Sequence, residues 1–238
     1  MSFLNHNQIE DYNNKGYVSP INIFSKQEAK EIREEIEKIE KKWPEALTGL
    51  NRNYVHLISP VFDKICHNSK ILDAVESLIG KNILIYGTTL FIKNTNEKAF
   101  VSFHKNDLQN HNEKFNENNL LTRGQTVENV PLEKTDPIIL NSGQMSLHHP
   151  KIVHGSGLNK SNDRRIGFVI QSYIGSDVDQ VLGKMYVQKA RGEDTYCYHQ
   201  YANRPLDLMS EKDINFRNKA NDELSKIFYK DAAKRGRF

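Results

Sequence analysis

Apolar residues first recur at helical spacing at Ala29, Ile32, Ile36 and Ile39, and the run stops before Pro44. Ser25 followed by Glu28 forms a capping-box signal ahead of it, so an amphipathic helix with one apolar stripe is predicted there. A second helix is predicted from about Ser69 to Leu78, presenting Ile71, Leu72, Val75 and Leu78, with Gly80 beyond its end. The period then shortens, and strands are expected at 83–86, 88–93 and 99–103. Residues 145–153 read as a further strand, and after a turn-forming run Ile166, Phe168 and Ile170 alternate with Gly167, Val169 and Gln171. A wide antiparallel hairpin is the economical reading of these two segments. Beyond Ser210 the chain turns helical again, with Ala220, Leu224, Ile227 and Phe228 on one side and a basic end that complements the helix dipole. The Asn-rich stretch 110–119 carries no periodicity and reads as a polar loop. The order implies a mainly β fold with flanking helices, an α+β arrangement.

Composition narrows this to one globular domain spanning 1–238. It divides into a helical N-terminal cover of about 1–80, a β core of about 81–175 and a C-terminal extension and helix of about 176–238. Cys66 and Cys197 lack metal-type spacing and predict no disulfide framework. The first residues show neither an apolar run nor a basic leader, and no stretch is long and apolar enough to span a bilayer, so cytoplasmic residence without a membrane partner is expected. Net charge is only +3, and the densest charges alternate in sign along the first predicted helix. Such a pattern describes a solvated face and not a nucleic-acid footprint. The sequence is silent on oligomeric state.

The candidate chemistry lies in QMSLHHPKIVHGSGLNKSNDRRIGF, where His154 precedes Arg165 by eleven residues across the polar turn. The hairpin reading puts both near its open end, an imidazole able to ligate metal beside a guanidinium able to clamp an anion. The plainer alternative is a turn histidine and a solvated arginine. Strict alternation puts His148 on the face of Ile152 and His154, whereas an irregularity at Pro150 would turn His149 inward instead.

The segment HGSGLNKSNDRR resembles the distal histidine and arginine region of the phytanoyl-CoA dioxygenase family. NQIEDYNNKGYVSPINIFSKQEAKEIREEIE looks like the family's opening helices, NLLTRGQTVENV like a loop of its bacterial branch, and VQKARGEDTYCYHQYANRP like its closing segment. The resemblance therefore follows most of the chain in order. It implies a double-stranded β-helix, a jelly roll of the cupin kind. The implied protein is an Fe(II) and 2-oxoglutarate-dependent dioxygenase that uses O2 to hydroxylate a small organic substrate while 2-oxoglutarate becomes succinate. In that reading His104 and His154 ligate iron, Arg165 holds a carboxylate of 2-oxoglutarate, and His149 orients the site from behind the ligands.

One family feature departs. The first ligands come as His-x-Asp, but two residues after His104 stands Asn106, and the nearest carboxylate, Asp107, is one place further. SFHKNDL also matches a later family segment, so part of the usual strand set between the two is expected to be absent. A one-residue bulge after His104 would bring Asp107 to the metal in place of Asn106. Otherwise His104 is a half-buried histidine of a polar loop. The departure also opens an alternative function, a catalytically inactive relative that binds an anion or a metal.

Overall fold

A computed structural model describes residues 3–105, 112–183 and 185–232. Contacts group the chain into two compact units: one of Met1–Asn5, Ile32–Leu90 and Phe168–Lys230, the other of His6–Glu31, Phe91–Gly167 and Asp231–Phe238. Both are discontinuous in sequence. Among the described residues there are five α-helices and ten short or medium strands.

Three of the five helices follow the sequence signals closely. Helix α1 spans His6–Lys15 and α2 spans Lys26–Lys42. At the start of α2 the Ser25 amide donates to Glu28 Oε2 at 2.7 Å and the Glu28 amide donates to Ser25 Oγ at 3.2 Å, which closes the capping box. Helix α3 (Pro60–Cys66) opens on proline, whose missing N–H costs nothing in a first turn. Helix α4 (Ser69–Ile79) is capped by Asn68, whose side chain accepts from the Lys70 and Ile71 amides, and it ends at Gly80 with φ +85°. Helix α5 (Glu211–Phe228) begins at Ser210, which accepts from the Asp213 amide at 3.2 Å.

In the first unit a four-stranded sheet has the order β10 (Gln200–Tyr201), β9 (Tyr186–Arg191), β2 (Ile83–Lys93) and β8 (Arg165–Gly175). Strand β2 is continuous through Gly87, where two strands were expected. A Cβ there would sit 3.2 Å from Gln171 Oε1 and 3.6 Å from the Tyr54 ring, so glycine lets the strand run on under close neighbours. A buried cluster of Tyr54, Leu57, Met185 and Ala220, with Phe216, Leu224 and Ile227 of α5 packed on it, forms part of this unit's core. The ends of β2 and β8, residues 91–93 and 165–167, belong to the second unit.

The second unit holds three two-stranded ladders. Strand β1 (Tyr17–Asn22) pairs antiparallel with β6 (Gln144–His148), β3 (Val101–His104) with β7 (His154–Ser156), and β4 (Asn112–Glu113) with β5 (Gln125–Thr126). The expected hairpin between 145–153 and 166–171 does not form. After His148 the chain leaves β1: the His149 amide donates to Gly16 O at 2.8 Å and the Ile152 amide to His149 O at 3.0 Å, a turn around Pro150. Strand β7 then pairs with β3, while β8 joins β2. The connection is pinned by Asn159, whose Nδ2 donates to Lys93 O and Asp163 O while its Oδ1 accepts from the Ser161 amide. Proline and an Asn-anchored loop thus redirect segments whose hydrophobic patterns alone suggested direct pairing.

Candidate metal and anion site

His104 and His154 stand directly opposite each other in the β3–β7 ladder, with ring centroids 4.2 Å apart. Each ring is tied to the backbone two residues before it: Nδ1 of His104 lies 2.9 Å from Ser102 O, and Nδ1 of His154 lies 3.0 Å from Ile152 O. A carbonyl only accepts, so in both rings Nδ1 carries the hydrogen and Nε2 carries the lone pair of the neutral form. This is how metal-ligating histidines are usually oriented, with the far nitrogen prepared for a divalent ion. Burial holds His154 below the ordinary imidazole pKa, partly offset by its backbone hydrogen bond, and so favours the neutral form that a metal needs.

Polar contacts fix the strand behind His104. Ser102 Oγ donates to Gln125 O at 2.6 Å and accepts from Asn119 Nδ2 at 2.9 Å. The Ser102 amide donates to Asn119 Oδ1 at 3.3 Å. The carbonyl that receives His104 Nδ1 is therefore held from the NLLTRGQ loop.

The two central histidines of the SLHHP run part company. His148 lies edge-on to His154, centroids 5.4 Å apart at 76°. Burial first, and His154 second, push its pKa down to about 4, so it is neutral at ordinary pH. His149 instead meets the ring of Tyr12 at 6.1 Å, and its Nδ1 accepts from the Lys151 amide at 3.2 Å. The structure thus brings His104, His148 and His154 together and puts His149 elsewhere. Asn106 and Asp107 lie outside the described residues. Among the described residues no group of three His, Cys, Asp or Glu side chains is arranged to hold a metal ion.

A second feature sits two residues along β7. Ser156 Oγ accepts from Lys93 Nζ at 2.5 Å and from Arg165 Nη1 at 3.0 Å. Lys93 Nζ also donates to Ser156 O at 2.8 Å and Gly157 O at 2.7 Å. Two cations thus converge on one hydroxyl, whose two acceptor positions they fill, and the serine's own hydrogen is left to donate to a third group. Lys93 is only 2% exposed, and burial together with the field of Arg165 lowers its pKa to about 8. A carboxylate between them would relieve that repulsion and satisfy the hydroxyl.

Arg165 reaches Ser156 from the start of β8 and not across a hairpin. Lys93 and Ser156 were not singled out from the sequence. Ser156 had a signal, since two residues from His154 in a strand means the same face. Lys93 had a weaker one, a lone cation at the end of the apolar run TTLFIK.

No family model and no curated protein matches the chain in sequence. Solved structures do resemble it. The non-heme monooxygenase ThoJ in its apo form aligns with a TM-score of 0.76 at 23% identity, covering 92% of this chain and 96% of that one. A ThoJ–Ni complex gives 0.74 at 22%, covering 93% and 98%. CytC3 with Fe(II) and alpha-ketoglutarate gives 0.61 at 17%, covering 85% and 94%. At these identities the likeness is one of fold: the chain has the fold of solved non-heme oxygenases.

Proposed function

We propose that the chain is an Fe(II) and 2-oxoglutarate-dependent oxygenase of the phytanoyl-CoA dioxygenase type, built on a jelly roll with a shortened strand set between β3 and β5, and that it hydroxylates a small organic substrate. The carrying observation is the juxtaposition on one strand of a histidine prepared to ligate and a serine held by two cations. His154 and Ser156 share a face of β7, and residues two apart in a strand are separated by about 6 to 7 Å. A five-carbon diacid suits that span, one end at the metal and the other in the cation cradle. The structural neighbours solved with Ni and with Fe(II) and alpha-ketoglutarate support the same pairing.

In this reading His104 and His154 hold iron through Nε2, and Asp107 supplies the third ligand in place of Asn106. Lys93, Ser156 and Arg165 bind the far carboxylate of 2-oxoglutarate, Arg165 by its planar fork and Lys93 as a buried point charge. The carbonyls of Ser102 and Ile152 keep both imidazoles in the ligating tautomer. When bound, iron and 2-oxoglutarate supply oxygen activation, with decarboxylation to succinate. Cys66 and Cys197 are both free thiols, which supports a reducing, cytoplasmic setting. The cradle favours a second reading as well, because it would hold a carboxylate without any metal: an inactive anion-binding relative.

Succinate formation from 2-oxoglutarate in the presence of Fe(II) and O2 separates the two. The oxygenase reading expects turnover that His154→Ala abolishes. It also expects Arg165→Ala to weaken 2-oxoglutarate use by on the order of 1 kcal/mol, since the side chain is exposed and solvent screens its charge. Tight 2-oxoglutarate binding with no metal dependence and no succinate would establish the second reading instead.

A further inference from the structure

We propose that His148 is a positioning residue for the co-substrate: its Nε2 donates a hydrogen bond to the carboxylate of the 2-oxo acid end, an inference that rests on the reading of the site given above. His148 Nε2 is buried and has no hydrogen-bond partner. The ring ends β6 and stands edge-on to His154, at a centroid distance of 5.4 Å. A group meant only to pack against His154 would bury that nitrogen at a desolvation cost that phenylalanine or leucine avoids. The residue is also placed with care. Its Cα partner is Tyr17 in the β1–β6 ladder, and the next residue leaves the strand to bond Gly16, so His148 is the last side chain the ladder fixes.

A neutral imidazole has one N–H, and a carboxylate only accepts, so this ligand selects the tautomer with hydrogen on Nε2. That is the reverse of His104 and His154, whose Nδ1 hydrogens are spent on backbone carbonyls. The three rings thus divide the work: two present lone pairs to a cation, and the third presents a hydrogen to the anion that cation attracts.

The test uses the full chain labelled with 15N-histidine, loaded without oxygen with Zn(II) as a diamagnetic substitute for iron, and then with 2-oxoglutarate. The His148 Nε2 resonance, assigned by its loss in His148→Gln, is expected to move on 2-oxoglutarate addition. His148→Phe keeps the ring and its edge contact but loses the nitrogen, so 2-oxoglutarate affinity should fall about tenfold or more, with Zn(II) affinity changed by less than about threefold. His148→Gln should recover part of the loss. An unmoved resonance, or a folded His148→Phe protein that binds 2-oxoglutarate like the parent, overturns the proposal and leaves His148 a packing residue. If the parent binds neither Zn(II) nor 2-oxoglutarate, the reading of the site fails, and this inference with it. Should His148→Phe fail to fold, the resonance of the parent protein still decides.

Discussion

Lys93 carries a pH dependence that Arg165 cannot. Its ammonium loses a proton near 8 in the ligand-free fold, against 10.5 for an unburied lysine, because burial and then Arg165 disfavour the charge. As pH rises through 8 the cradle therefore passes from two positive charges to one. Affinity for 2-oxoglutarate is expected to decline by up to about tenfold per pH unit above that point, by proton linkage. Lys93→Met should bind more weakly at pH 7 and show a flat profile between pH 7 and 9, measurable by calorimetry on the metal-loaded protein. A declining profile that persists unchanged in Lys93→Met would assign the titration to another group. The sequence singled out His154 and Arg165 by residue type and spacing, and His104 only through the family likeness. It did not reveal Lys93, since a lysine closing an apolar strand reads as a solvated end until the fold shows it buried.

Among the elements, the β3–β7 ladder leaves little room at one glycine. Gly155 lies between His154 and Ser156, and a Cβ there would come within 3.0 to 3.1 Å of the Phe103 amide nitrogen, Cα and ring. Backbone gives way less readily than a flexible side chain, so Gly155→Ala is expected to push the two strands apart. The predicted consequences are a loss of about 1 kcal/mol in stability, typical of modest overpacking, and weaker metal binding as the paired histidines separate. Chemical denaturation and metal titration of the same variant check both; unchanged metal affinity would show that the ladder absorbs the methyl group. Helices α2, α4 and α5 were legible in sequence because capping and a 3.6-residue stripe are local signals. Strand partners were not, because Pro150 and Asn159 redirect β7 and β8 through contacts with Gly16 and Lys93, distant in sequence, that no hydrophobic pattern encodes. Helix α1 lay within a segment read only through its family likeness, and its polar sequence HNQIEDYNNK has a weak apolar stripe.

For the molecule as a whole, buried neutral histidines set the acid limit. His56 is fully enclosed, with Nδ1 2.8 Å from Thr88 Oγ1, and burial followed by His67 pushes its pKa down to about 3. The unfolded chain takes up that proton near pH 6.5, so between these values it binds more protons than the fold, and stability falls as pH drops through the window. Protonation of His56 alone is worth on the order of 4 kcal/mol across that range, and His148 acts in the same direction. The thermal midpoint should therefore decline steadily below pH 6.5, less steeply in His56→Gln, which keeps a partner for Thr88 but does not titrate. Equal slopes in both proteins would move the acid sensitivity elsewhere. The mixture of helical and strand segments was visible in the order of periodicities, and the family likeness anticipated the fold shared with solved non-heme oxygenases.

The histidine pair and the cation cradle are proposed to form one site for iron with 2-oxoglutarate. Its most direct test is an anaerobic titration of the metal-free protein with Fe(II) and then with 2-oxoglutarate, followed by visible absorption. One shared site gives a saturable charge-transfer band that requires both additions, is lost in His104→Ala and His154→Ala, and needs more 2-oxoglutarate in Arg165→Ala. A folded protein that binds 2-oxoglutarate yet gives no band with iron would contradict it, leaving the cradle as an anion site alone.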